Sequence, residues 1–168
     1  MDIDKLVNEI IPPSDYQHRN GFNNIPIIES LTDSEKQLLE KVLIQKLTVE
    51  FENQFPDTLI VETLAYLKSS DSLSILNKLL ENCNDFIIKL SIATSIFEIN
   101  QDIEMIDIAI NATRQLDNKK SGYYVYNLSS AFYYLAKFKN EKIKEFIEEY
   151  TLRPEQLISY NAKQALEI

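Results

Sequence analysis

The chain has 168 residues, 45% of them hydrophobic and 26% charged, which is typical of one globular domain and not of a disordered or fibrous protein. Its 26 acidic and 17 basic side chains give a net charge of -9, which repels nucleic-acid backbones and anionic lipid surfaces. We therefore expect neither nucleic acid nor a membrane among its partners.

The cysteine content and the N-terminal sequence predict a cytoplasmic protein. Cys83 is the only cysteine, so no disulfide bond can form within the chain. The acidic start, residues 1 to 4, lacks the basic and apolar regions of a signal peptide. No apolar run approaches the roughly 20 residues that are needed to cross a bilayer.

The residue pattern predicts an all-α protein. Two glycines and five prolines are too few for a fold made of many short strands and tight turns. From about Leu31 onward, apolar residues recur at spacings of three and four, which is typical of amphipathic helices.

The first 30 residues differ from the rest of the chain. Residues 1 to 11 predict a short helix. Residues 14 to 30, which include Pro26, predict an extended segment that packs through its isoleucines. We therefore divide the chain into an N-terminal helix and extended capping segment, residues 1–30, and a helical repeat domain, residues 31–168.

Helix start signals recur after residue 30. Thr32 and Glu35 fit a capping box and predict a helix from about 33 to 48. Pro56 is suited to the first position of a second helix. Later starts are predicted at Asp71, Asn84 or Asp85, Asp102, Ser121, Asn140 and Pro154, which gives about eight helices after residue 30.

One pattern repeats in the second helix of successive pairs. A small residue is followed by apolar residues three and four positions later, and the frame begins at Thr63, Ala93, Ala131 and Ala162. Helix pairs of this kind bury their apolar faces by stacking, and the small residue allows neighbouring helices to approach closely. The pattern predicts a solenoid of about four helix pairs, with an irregular or four-helix bundle as the alternative.

The repeat region from Leu31 to Ile168 resembles the HEAT-like repeats of short bacterial solenoids. More narrowly, the sequence Ile-Pro-Ile-Ile at 25–28, the sequence Leu-Thr-Asp-Ser-Glu-Lys at 31–36 and the helix pairs that follow resemble cytosolic HEAT-like immunity proteins, which protect bacteria from polymorphic toxins. The resemblance implies a short right-handed α-solenoid that binds a toxin and has no enzymatic activity.

The sequence offers little for catalysis or for cofactor binding. His18 is the only histidine, and no Gly-x-Ser-x-Gly motif surrounds a potential nucleophile. Gly21 and Gly122 stand alone, so a glycine-rich phosphate loop is absent. We expect no enzyme activity, no cofactor and no metal, and we expect Cys83 to be structural.

The remaining signal is a surface on the inner helices, opposite the predicted core. Helical geometry places Ser91 and Ser95 in this groove, together with the residues predicted to bind a partner. These are Glu98, Tyr126, Tyr133, Tyr160, Gln164 and Glu167. Tyrosine provides large, fairly rigid contact area, and carboxylates steer a basic partner. A single tyrosine can equally belong to the core, so the prediction concerns the set.

Three functions follow from these observations. The first is an immunity protein that occludes the active surface of a basic toxin domain, and the second is a scaffold or regulatory adaptor without a toxin. Gene neighbourhood separates these two, because an immunity gene lies immediately downstream of its toxin gene. The third, a HEAT-like DNA-repair enzyme, requires a basic groove, whereas Lys68 is the only positive charge at the predicted groove positions.

Overall fold

The computed structural model describes residues 3–52, 56–118 and 122–167, and this part of the chain is helical without any strand. The predicted all-α class is confirmed. The α-helices are α1 Ile3–Ile10, α2 Tyr16–Arg19, α3 Ile25–Glu29, α4 Asp33–Glu52, α5 Thr58–Tyr66, α6 Leu73–Asn82, α7 Phe86–Asn100, α8 Glu104–Asn118, α9 Tyr124–Ala136, α10 Glu141–Glu148 and α11 Gln156–Leu166. A 3₁₀ turn, Ser70–Ser72, precedes α6.

The capping box at the start of α4 is confirmed. The backbone N–H of Thr32 donates to Glu35 Oε2 at 2.8 Å, and the N–H of Glu35 donates to Thr32 Oγ1 at 3.4 Å. These two bonds satisfy N–H groups that the first turn of a helix leaves without partners. The helix extends to Glu52, beyond the predicted end at 48.

Other predicted helix starts are confirmed or move by one or two residues. Asp85 and Asn140 cap α7 and α10 through their side chains. The start predicted at Pro56 moves two residues, to Thr58, because the Asp57 carboxylate accepts from the N–H of Leu59 at 3.0 Å and caps the helix. The start predicted at Asp71 moves to Leu73, because Asp71 lies in the 3₁₀ turn before α6. The starts predicted at Asp102 and Pro154 move to Glu104 and Gln156. The start predicted at Ser121 lies outside the described residues.

The predicted extended segment, residues 14 to 30, contains the short helices α2 and α3 instead. Asp15 accepts from the N–H of His18 and caps α2, and Pro26 lies in the first turn of α3, where its missing N–H costs nothing. Neither helix is long enough to show a 3.6-residue period, so periodicity could not reveal them.

The helices after residue 56 pack in a regular order. Helix α5 packs against α7, α7 against α9, and α9 against α11, while α6 packs against α7, α8 against α7 and α9, and α10 against α9 and α11. Helix α7 lies at the centre, and all of its residues from Leu90 to Phe97 are buried.

The repeated small residues lie in this core. Thr63, Ala93, Ala131 and Ala162 are all buried, as predicted. Tyr66, which the same frame places in the core, is exposed instead, because its hydroxyl donates to the carboxylate of Glu29 at the surface.

We predict that Ala93→Leu lowers the free energy of unfolding by about 2 kcal/mol. Ala93 has no exposed surface on the most enclosed helix, so added methyl groups must displace its neighbours. The measurement is chemical denaturation, with Ser74→Leu at an exposed position of α6 as the control. Equal stability of the two variants would contradict close packing at Ala93.

Candidate functional site

Large apolar side chains are exposed on the two adjacent helices α9 and α11. Tyr126 and Tyr133 are 63% and 56% exposed, and their spacing of two helical turns places them on one face of α9. On α11, Leu157 and Tyr160 are also exposed. We call these four residues the tyrosine surface. Because the three predicted tyrosines are exposed, they do not belong to the core.

A polar network ties the helices that carry the tyrosine surface to each other. The hydroxyl of Tyr124, on α9, donates to Oε1 of Glu155 at 2.8 Å. Glu155 directly precedes α11. Arg153 donates to both Glu155 and Asp117, which connects the start of α11 to the end of α8. The network fixes α9 and α11 relative to each other, so it positions the exposed tyrosines.

We predict a pH dependence for this network. Hydrogen bonds from Tyr124 and then from Arg153 lower the pKa of Glu155 from 4.5 to about 2. Folding therefore favours the carboxylate: the stabilisation is fully present above pH 4.5 and is lost as the pH falls toward 2. Glu155→Gln should reduce the melting temperature near neutral pH, and the difference from the unmodified protein should shrink toward pH 2.

The control for this prediction is Glu145→Gln, which alters an exposed carboxylate on α10. It should leave the melting temperature almost unchanged, since exposed charges contribute little to stability. A Glu155→Gln difference that stays constant across the acidic range would contradict the assigned role of Glu155.

A second polar group, which we call the Lys137 cluster, joins three helices. It comprises Glu62 of α5, Glu98 of α7, Tyr133 and Tyr134 of α9, and Lys137, the residue that follows α9. The Lys137 ammonium lies 3.6 Å from Glu62 Oε2 and 3.8 Å from Glu98 Oε2. It also lies 4.7 Å from the centre of the Tyr133 ring. Burial opposes the charge of Lys137, but the two carboxylates outweigh burial and raise its pKa.

The side chain of Tyr134 connects two of these three helices. It donates to Glu62 Oε1 at 3.1 Å, so the side chain reaches from α9 to α5. Burial and the nearby Glu62 carboxylate raise the pKa of Tyr134, so it remains a neutral hydrogen-bond donor.

The predicted exposure of Ser91 and Ser95 in the groove is wrong. Both are buried, because α7 lies between α5 and α9 and the side chain of Tyr134 approaches Ser91. These two serines therefore belong to the core and do not line a groove.

The structure brings together some of the predicted partner-binding residues. Glu98 and Tyr133 both contact Lys137. Gln164 and Glu167 form a separate pair at the end of α11, with Gln164 Nε2 donating to Glu167 Oε2 at 3.1 Å.

Sequence reasoning missed Glu62 and Lys137. Tyr133 and Lys137 are four residues apart along the chain, a spacing that places them on one helical face, so this pair of the five cluster residues was visible in the sequence. The approach of Glu62 depends on how α5 and α9 are aligned, which the local pattern does not determine.

Residues with the greatest chemical reactivity lie outside these two groups. Cys83 Sγ contacts the backbone oxygen of Asp85, and burial raises the pKa of its thiol, which reduces its nucleophilic form. His18 pairs with Asp15 at an exposed position. No three acidic, histidine or cysteine side chains in the described ranges are arranged to hold a metal ion.

Within the described ranges, no helix has both the length and the apolar character required to cross a bilayer. Comparison with protein-family models, with curated proteins and with solved structures finds no match to this chain.

Proposed function

We propose that the chain is a non-enzymatic module that binds another protein through the tyrosine surface. The observation that carries this proposal is the exposure of three tyrosines, Tyr126, Tyr133 and Tyr160, on two helices that pack together. Tyrosine is enriched at protein interfaces because its ring buries a large area at a small cost in conformational entropy, while its hydroxyl still finds a partner.

We further propose that the helix pairs form a short right-handed solenoid of the HEAT-like kind. The packing order of α5, α7, α9 and α11 supports this arrangement, since each inner helix contacts the next.

The proposed partner is a toxin domain with a basic active surface, which the module would inhibit by covering it. The net charge of -9 supports this choice, because long-range attraction accelerates encounter with a basic protein. The resemblance of the sequence to HEAT-like immunity proteins points the same way.

Co-expression with the protein encoded immediately upstream tests the proposal. We expect that protein to stop growth when expressed alone, to be harmless when this chain is present, and to form a complex that high salt weakens. An upstream protein that is harmless, or that does not bind this chain, would contradict an immunity function.

The alternative is a scaffold or regulatory adaptor with the same surface and no toxin partner. The exposed tyrosines alone support it equally well, since they specify a protein contact and not the class of partner. Capture of several housekeeping proteins by the tagged chain, through the tyrosine surface, would favour the adaptor.

A further inference from the structure

The Lys137 ammonium marks a position that is built to stabilise a cation. Two carboxylates, Glu62 and Glu98, face it from different helices at 3.6 and 3.8 Å. The rings of Tyr133 and Tyr134 lie 4.7 and 5.9 Å away, within the range of cation–π attraction. Every one of these groups favours positive charge at that position.

Lys137 does not use all the hydrogen-bond acceptors around it. Its distances to both carboxylates exceed the roughly 2.7–3.2 Å of an N–H···O hydrogen bond. One turn before Glu98 on α7, the hydroxyl oxygen of Ser95 is buried without a hydrogen-bond partner, whereas the buried hydroxyl of Ser91 lies within reach of the Tyr134 hydroxyl. The two serines and Glu98 lie on one face of α7, and Ser91 lies beside Tyr134 of the cluster.

A buried polar atom without a partner is costly, so the Ser95 hydroxyl and the two loosely paired carboxylates indicate that the acceptors around Lys137 are only partly used. An ammonium has three donors that radiate from one atom. A guanidinium has five donors in a planar fork, pairs with carboxylates through two parallel bonds and stacks on aromatic rings. The groups around Lys137 match this larger and flatter cation better than they match an ammonium.

We infer that the Lys137 cluster is a recognition site for an arginine side chain of the partner protein, which displaces the Lys137 ammonium from between Glu62 and Glu98. This inference rests on the proposed function and names the partner residue that its surface recognises. In the free protein Lys137 pairs with both carboxylates and offsets one of their two negative charges. In the complex its flexible side chain turns to solvent, and the guanidinium takes its place against Tyr133.

Titration with a small probe tests the site without any knowledge of the partner. The probe is N-acetyl-arginine methylamide, and the uncharged citrulline analogue and the lysine analogue serve for comparison, with the Tyr133 ring and Glu98 side-chain NMR signals as the readout. Lys137→Met removes the internal competitor and should strengthen binding of the arginine probe about tenfold or more. Adding Glu98→Gln should abolish that gain.

The matched control is Lys142→Met, which removes a lysine that pairs with Asp107 on the exposed surface. Equal strengthening by this control, absence of arginine binding to Lys137→Met, or equal binding of the lysine probe would overturn the inference. If Lys137→Met does not fold, Lys137→Arg provides a second test: a guanidinium supplied by the chain itself should raise the melting temperature by about 3 °C, and a decrease would overturn the inference.

Failure of this inference is distinct from failure of the proposed function. If a protein partner binds through Tyr126 and Tyr160 while the chain does not bind the arginine probe, only the arginine site is overturned. If the chain binds the arginine probe but not the upstream protein, the arginine site stands and the immunity function is overturned.

Discussion

Simultaneous replacement of Tyr126, Tyr133 and Tyr160 by serine should weaken binding to the partner protein about a thousandfold. Each exposed ring is expected to bury most of its surface in the complex, and loss of a central aromatic contact typically costs about 1–2 kcal/mol. The dissociation rate should account for most of the change, because short-range contacts are lost while the net charge stays the same. Surface plasmon resonance with the partner measures both rates.

The matched control makes the same replacement by serine at three exposed apolar residues elsewhere. These are Tyr16 on α2, Leu38 on α4 and Ile103 just before α8. It should leave the affinity unchanged. A triple tyrosine variant that still binds as tightly as this control would contradict a role for the tyrosine surface. Adding Glu98→Gln and Glu167→Gln to the tyrosine variant should then lower the association rate as well, since fewer negative charges steer the partner.

Removal of residues 1–30 should lower the melting temperature by more than about 10 °C. Ile10 and Ile28 are completely buried, so their removal exposes the apolar surface that they cover. Asn24 donates to Thr63 Oγ1 at 2.8 Å, and Arg19 donates to both carboxylate oxygens of Asp57. Both contacts hold the N-terminal segment against α5.

The ion pair between Arg19 and Asp57 contributes part of this stabilisation and can be tested separately. Arg19→Met leaves the Asp57 carboxylate, which is only 17% exposed, without its counter-charge, and should cost about 2 kcal/mol of unfolding free energy. Lys5→Met, which breaks the exposed pair with Glu9, should cost less than about 0.5 kcal/mol. An unchanged melting curve after removal of residues 1–30 would contradict a stabilising contact of this segment with α5.

The fold was predictable wherever a short sequence signal acts on neighbouring residues. The capping box of Thr32 and Glu35 and the caps Asp85 and Asn140 were found because cap and helix are adjacent in the chain. The short helices α2 and α3 were not, since each spans about one turn and depends on contacts such as that of Asn24 with Thr63.

The exposed tyrosines of the candidate site were also predictable, because their positions follow from the geometry of single helices. Tyr126, Tyr133 and Tyr160 lie opposite the buried small residues of their own helices, so helical geometry alone places them outside. The same geometry failed for Ser91 and Ser95, because α7 is enclosed by neighbours on all sides and has no solvent-facing centre. A helical period gives directions around one axis and does not show how many neighbours that helix has.

Site-specific photo-crosslinking tests the proposed binding surface most directly. A photoreactive benzoyl-phenylalanine placed at Tyr126 or Tyr160 changes the residue little, and the same group at Ile103, which is at least as exposed, provides the control. With the partner protein present, we expect crosslinks from Tyr126 and Tyr160 and none from Ile103. Crosslinks from Ile103 alone would contradict partner binding through the tyrosine surface.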